Sequence, residues 1–142
     1  MNCKAAGIII YKIQDGQVKF LGLKALPIFQ KRSNGIYDIP KGQRDPGERP
    51  IDCAKRECYE ESNLSPHNLL AGPFKCEGVW YWIAESNETP MLKNNPKTNL
   101  PEHLDWAWLS PDEMIKNCLD YLTKSISWAR DEIMQHLLNA KK

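Results

Sequence analysis

Three things are scarce in this 142-residue sequence, and each scarcity removes a class of protein. No apolar run approaches the roughly 20 residues that span a bilayer. The longest one near the start, Ala5 to Tyr11, is far too short and follows no charged leader, so neither a secretion signal nor a membrane span is expected. Cysteines are few and odd in number: Cys3, Cys53, Cys58, Cys76 and Cys118 match neither a disulfide framework nor a C-x-x-C metal site. Free thiols in a reducing cytoplasm are the expectation. An excess of one charge is also missing. Lys plus Arg number 19 against 18 Asp plus Glu, so no global field draws the chain to nucleic acid or to an anionic membrane. Any polyanion must be captured locally.

What is there is ordinary globular composition, with 42% hydrophobic and 26% charged residues and neither repeats nor low-complexity tracts. The length suits one domain over residues 1–142 with one active site. Ala6 to Tyr11 is rich in β-branched residues and is followed by Asp15-Gly16 and then Val18 to Leu23, which predicts an opening hairpin. Pro27 to Gly35 reads as a basic loop carrying Lys31 and Arg32, ahead of a short strand at Ile36 to Ile39. From Pro50 the apolar positions Ile51, Ala54 and Cys58 recur at helical spacing, and Asn63 and Pro66 close the segment, predicting a helix over about 50–62.

Phe74 to Glu77 and Val79 to Glu85 read as strands, the second with Trp80 and Trp82 on one face and Tyr81 on the other. Ser86 to Pro101 reads as a long surface loop, and Trp106 to Leu109 as the last strand. Ser110-Pro111-Asp112-Glu113 carries a capping residue, a Pro in the first turn and a Glu three residues after the cap, so a helix starts there, with Met114, Ile115, Cys118 and Leu122 as its apolar members. Trp128, Ile133, Met134, Leu137 and Leu138 predict a terminal helix packed on the body. Strands first, one helix in the middle and helices last point to an α+β or sandwiched α/β/α domain.

The chemistry concentrates in Gly42 to Leu64. Glu57, Glu60 and Glu61 fall within an arc of about 100° on one helix, given about 100° per residue. Carboxylates so close repel and raise one another's pKa unless a cation neutralises them. Mg²⁺ suits such a group, because it takes oxygen ligands, keeps several waters and is often completed by substrate phosphates. Arg56 precedes the first of them and can hold a carboxylate by a bidentate contact. The plain alternative is a solvated acidic helix face, since such spacings are common on helices. Against it, Glu61 lies only about 20° from the apolar position of Ala54 and should be partly buried, where an unpaired carboxylate is costly.

This stretch resembles the Nudix box, G-x5-E-x7-R-E-U-x-E-E-x-G-U with U apolar. Gly42, Glu48, Arg56, Glu57, Glu60, Glu61 and Leu64 match in register, Cys58 serves as the first U, and Asn63 replaces the late Gly. Asn also tolerates the left-handed helix end that the motif requires. The resemblance implies a Nudix-type α/β/α sandwich with a mixed central sheet. It implies Mg²⁺, with Mn²⁺ as a substitute, held by Glu57, Glu60, Glu61 and the Gly42 carbonyl. Glu48 would fix the loop and Arg56 would orient a catalytic carboxylate. The implied reaction is attack of water on phosphorus in a nucleoside diphosphate joined to another group.

Outside the box, Ala6 to Tyr11, Phe20 to Ala25, Pro40-Lys41-Gly42, Tyr81 to Glu85 and Glu102-His103 ahead of Trp108-Leu109 resemble asymmetrical bis(5′-nucleosyl)-tetraphosphatases. That resemblance implies Lys41 on the polyphosphate, Tyr81 stacking on a base, and Glu102 as a further metal ligand or general base, with Lys31 and Arg32 as additional phosphate contacts. Two bland alternatives stand beside it: Tyr81 as a sheet residue packed on a helix, and His103 as a surface or structural histidine. Trp80, Trp82, Trp106 and Trp108 are assigned to the core. Nucleoside triphosphates, ADP-ribose and RNA 5′ ends stay open as substrates, as does a nucleotide-sensing module without turnover.

Overall fold

Strand β1 (Ala5–Gln14) organises the molecule, because its side chains are buried on both faces. Ile8 and Ile10 enter one apolar cluster while Ile9 and Tyr11 enter the other, as a two-residue period requires. A β-branched run in such a strand needs cover on both sides, and the chain supplies helices for each. The computed structural model describes residues 2–31 and 33–141.

β1 turns through Asp15 and Gly16, both at positive φ, into β2 (Gln17–Ala25), its antiparallel partner. On its other edge β1 runs parallel to β6 (Val79–Glu85), and β6 pairs antiparallel with β5 (Leu69–Cys76). The path of the sheet is β3-β2-β1-β6-β5, with β3 at Tyr37–Asp38; β7 (His103–Leu109) also pairs with β2. A single parallel pair among antiparallel ones makes the sheet mixed.

One face carries α2 (Pro50–Ser62), whose Cys53, Ala54 and Cys58 pack on Ile8, Ile10, Leu21, Leu23 and Trp82. On the other lie α3 (Pro111–Asn117), a 3₁₀ turn (Asp120–Leu122) and α4 (Thr123–Ala140), which bring Met114, Leu122, Ile126, Ala129 and Ile133 onto Ile9, Phe20, Tyr81 and Ile83. The expected α/β/α layering and mixed sheet are therefore present.

Several expectations hold at the residue. α2 begins with Pro50 in its first turn and ends at Asn63, which sits at φ 63° and donates its amide to the Tyr59 carbonyl. Ser110 caps α3 in a reciprocal pair with Glu113. Trp82 is buried, and Trp80, Trp106 and Trp108 pack against the same cluster beneath α2.

Others need correction. The basic loop after β2 contains a helical turn, α1 (Pro27–Gln30). The strand expected at Ile36 to Ile39 shrinks to two residues. β5 begins at Leu69, well before Phe74, because its register shifts around Gly72 at φ 130° and hides the alternation. α3 stops at Asn117, so Cys118 and Leu122 lie beyond it, in the extended cap residue and the 3₁₀ turn.

One strand that sequence gave no sign of matters most for function. β4 (Lys41–Gln43) is only three residues long and pairs with Ala5 to Gly7, taking the edge that β2 uses farther along β1. Gly7 makes room for it: a Cβ there would lie 2.5 Å from the Lys41 Cβ and 2.6 Å from the Pro40 carbonyl oxygen. β4 thus sets Lys41 and Gly42 beside α2.

Candidate active site

Where β4, α2, the 86–101 loop and the 3₁₀ turn meet, a cavity of about 1080 Å³ opens. Its lining includes Gly42, Arg56, Glu57, Glu60 and Glu61 of the box, together with Lys41 and Glu102 from outside the helix, all of them residues singled out in the sequence. Helical spacing explains the three carboxylates of α2: 57, 60 and 61 share a stripe.

Arg56 is the hub of the site. Its Nε and Nη2 donate to the two oxygens of Glu48 at 2.8 and 3.0 Å. Nη1 donates to Glu57 at 2.8 Å and to Glu60 at 3.2 Å, and Nη2 also reaches the Gln43 carbonyl at 3.0 Å. A planar guanidinium with five donors can serve so many acceptors, whereas an ammonium cannot. Glu48 in turn accepts the Asp45 amide at 3.0 Å, which pins the loop between β4 and α2. The Arg56 hydrogen bonds hold the Glu48 carboxyl well down, at about 2.

Glu61 is only 8% exposed and accepts the Lys41 amide at 2.7 Å. Burial pushes its carboxyl far above the usual range, against that hydrogen bond and helped by Asp38, Glu102 and Glu57 nearby. Burial also raises Glu57, outweighing the pull of Arg56, with Glu60 and Glu102 adding to the rise. Glu102 reaches in from just before β7, its Oε1 accepting Asn95 Nδ2 at 2.7 Å. Gly42 has no room for a side chain, since a Cβ would fall within 2.5 Å of all three carboxyl atoms of Glu57. Its carbonyl accepts the Cys53 thiol at 3.4 Å.

Among the described residues no three acidic, histidine or cysteine side chains are already drawn up at metal-ligand spacing. Arg56, the Lys41 amide and Asn95 hold the carboxylates instead. The donor set nevertheless fits a hard divalent cation. It is oxygen only, four carboxylates and a carbonyl line one cavity, and two of the carboxyls carry raised pKa values that a nearby cation would lower.

One substrate contact inferred from the sequence is not where a substrate can use it. Tyr81 is 1% exposed and packs with Phe74, ring centroids 6.5 Å apart, in the cluster beneath α4. It is a sheet residue packed on a helix, not a stacking platform. Lys31 is exposed at the end of α1 and is not among the residues lining the cavity. Arg32 lies outside the described residues.

The structure also brings in groups to which the sequence reading gave no part in the site. His103, read from the sequence as a surface or structural histidine, is not at the surface: its side chain is 7% exposed, as the structural reading has it, and it lines the cavity with Nε2 3.7 Å from Asp38. Asp38 also pairs with Lys41 at 3.4 Å. The exposed rings of Phe29 and Tyr121 stand on the cavity wall. The one local signal for Asp38 was a charge inside an otherwise apolar strand just before Pro40-Lys41-Gly42.

Comparison with known proteins gives a consistent outline. The family model of the NUDIX domain matches residues 1–137. A bis(5′-nucleosyl)-tetraphosphatase (asymmetrical) of Caenorhabditis elegans is 30% identical over 127 residues, which cover 82% of this chain and 85% of that protein. The crystal structure of a C. elegans Ap4A hydrolase binary complex is similar at a TM-score of 0.67 and 25% identity, covering 96% of this chain and 98% of the other. The NUDIX domain of Shewanella oneidensis NrtR, complexed with ADP ribose, shares the fold at a TM-score of 0.67 and 16% identity, over 94% and 89% of the two chains.

Proposed function

The chain belongs to the NUDIX family and is a pyrophosphohydrolase, and from that premise we propose that it is a Mg²⁺-dependent hydrolase of dinucleoside polyphosphates, cutting diadenosine tetraphosphate to ATP and AMP in the cytoplasm. The observation that carries the reading is the cavity itself. Glu57, Glu60, Glu61 and Glu102, the Lys41 ammonium and the exposed rings of Phe29 and Tyr121 share a space of about 1080 Å³, at the large end of small-molecule sites and suited to a long ligand with two bases. Likeness to an asymmetrical tetraphosphatase over four fifths of the chain supports the same choice over a mononucleotide.

Glu57, Glu60, Glu61 and the Gly42 carbonyl would hold Mg²⁺, or Mn²⁺ in its place. The cation, when bound, supplies charge that activates water and steadies the leaving phosphate. Lys41 binds the polyphosphate by charge. Phe29 and Tyr121 take the role first given to Tyr81 and stack on a base. Glu102, alone among the four in coming from outside α2, accepts the proton of the attacking water, and Asn95 keeps it turned toward the cavity. Arg56 touches no substrate and orients Glu57 and Glu60.

A panel of nucleotides incubated with Mg²⁺ and resolved by chromatography tests this reading. ATP plus AMP from diadenosine tetraphosphate, at a kcat/KM above that of any mononucleotide, ADP-ribose or triphosphorylated RNA, is the expected result. Faster cleavage of one of the others would transfer the assignment to it, and inertness toward all would make this a binding module.

A further inference from the structure

Outside the box a second acidic residue is tied to groups that line the cavity. Asp38 ends β3 with a side chain 14% exposed. It accepts the Ile39 amide at 2.7 Å, the Tyr121 hydroxyl at 3.1 Å and the Lys41 ammonium at 3.4 Å, and His103 Nε2 lies 3.7 Å away. Lys41 Nζ is in turn 4.9 Å from the centroid of the Tyr121 ring. A carboxylate this buried is costly unless donors surround it, and here they do. Burial pushes its carboxyl up, but Lys41, His103 and the Ile39 amide together hold it below the usual range.

Asp38 and Tyr121 are 83 residues apart in sequence, and the contact between them is one of a set. The Asp120 amide donates to Ser33 Oγ at 2.8 Å, and the Leu119 amide to the Tyr37 carbonyl at 2.8 Å. Those two bonds already hold the segments together, so the carboxylate is not required simply to join them. What it adds is an aim for two mobile side chains: a lysine with four rotatable bonds and a half-exposed tyrosine.

We propose that Asp38 is a positioning residue that holds the Lys41 ammonium and the Tyr121 ring at a fixed separation, so that the phosphate and the base of one nucleotide are set in register against the α2 carboxylates. This rests on the nucleotide reading above. Side chains that are ordered before binding spare the ligand the entropy of ordering them, an advantage of about tenfold in affinity for two such groups. The effect therefore belongs in KM, not in the chemical step.

The test uses Asp38→Ala, Asp38→Asn and Tyr121→Phe, with KM and kcat measured for diadenosine tetraphosphate. Inorganic tripolyphosphate serves as a competitive probe that has phosphates but no base. Asp38→Ala should raise KM about tenfold, with kcat within about threefold of wild type and a melting temperature within a few degrees. Tyr121→Phe keeps the ring and loses only the hydroxyl; it should raise KM about threefold and add nothing on top of Asp38→Ala. Inhibition by tripolyphosphate should weaken in Asp38→Ala and stay as in wild type in Tyr121→Phe. Asp38→Asn keeps an acceptor for Tyr121 but no charge for Lys41, and it carries the test should Asp38→Ala fail to fold. Unchanged KM in active Asp38→Asn and Tyr121→Phe proteins, a loss confined to kcat, or additive effects in the double variant would overturn the proposal. A wild-type enzyme inert toward every nucleotide would instead overturn the functional reading beneath it.

Discussion

Gly42→Ala should separate catalysis from folding. Gly42 lies in a strand and is absent from the set of residues at positive φ, so alanine meets no backbone strain there. What it meets is the carboxyl group of Glu57, every atom of which would lie within 2.5 Å of the new Cβ. The obstacle is the tip of a flexible side chain, and the cheapest response is for Glu57 to swing away, breaking its 2.8 Å bond to Arg56. That bond joins partly exposed groups and is worth about 1–2 kcal/mol. Against it, glycine to alanine at a compatible site returns about 0.4–1 kcal/mol by restricting the unfolded chain. The net cost is then about 0–2 kcal/mol, and at about 3–4 °C per kcal/mol for a domain of this size the melting temperature falls by less than about 8 °C.

Turnover should suffer far more, because displacing a reacting or ligating group by about 1 Å costs on the order of a hundredfold. Thermal melts and steady-state hydrolysis at saturating Mg²⁺ would measure both quantities. A double variant closes the argument: if the alanine acts through Glu57, Gly42→Ala adds nothing to Glu57→Gln. A folded Gly42→Ala enzyme with wild-type kcat would refute the reasoning, and so would one that unfolds.

Glu60→Gln and Glu61→Gln should each cut kcat by about a hundredfold to ten-thousandfold with the fold intact, and retention of a tenth of the activity by either would remove it from the machinery. Glu61→Gln should also leave the protein no less stable at neutral pH. A carboxyl whose folded pKa is raised stabilises below its unfolded value and loses that contribution as pH climbs, so the amide gives up little there. Glu48 has the opposite sign. Its pKa falls from 4.5 to about 2 on folding, so its contribution is complete above pH 4.5 and disappears as pH drops toward 2. The melting temperature of Glu48→Gln should therefore lie below wild type at pH 7, and the gap should narrow below pH 4.5 and close only as pH falls to about 2; a gap of constant size would show that Arg56 gains nothing from the charge on Glu48.

The parts of this molecule that sequence made legible are those governed by local rules. α2 announces itself through Pro50, an apolar stripe and Asn63, and each does in the structure what its chemistry requires. The start of α3 is as plain, because the Ser110–Glu113 pair spans only three residues. β4 was not legible: Lys-Gly-Gln has no strand preference, and its pairing partner is Ala5 to Gly7, more than thirty positions earlier. Tyr81 shows the limit of periodicity. Alternation correctly set it opposite Trp80 and Trp82, but which face lies beneath α4 and which beneath α2 depends on topology. Asp38, His103 and Tyr121 come from three segments that meet only in the folded chain, so no spacing could have joined them.

What the structure shows in the box, then, is a set of contacts that keeps its carboxylates together. Four acidic groups brought within reach of one another would drive the loop and helix apart, and something must offset that before any cation arrives. Arg56 does so from inside the motif. One guanidinium ties Glu48 and the Gln43 carbonyl of the loop to Glu57 and Glu60 of the helix. The Lys41 amide does the same for Glu61 from β4. Since Arg56 sits on the same helix as Glu57 and Glu60, its backbone position is fixed by α2. A cation bound there would have to draw carboxylates from contacts about 3 Å long.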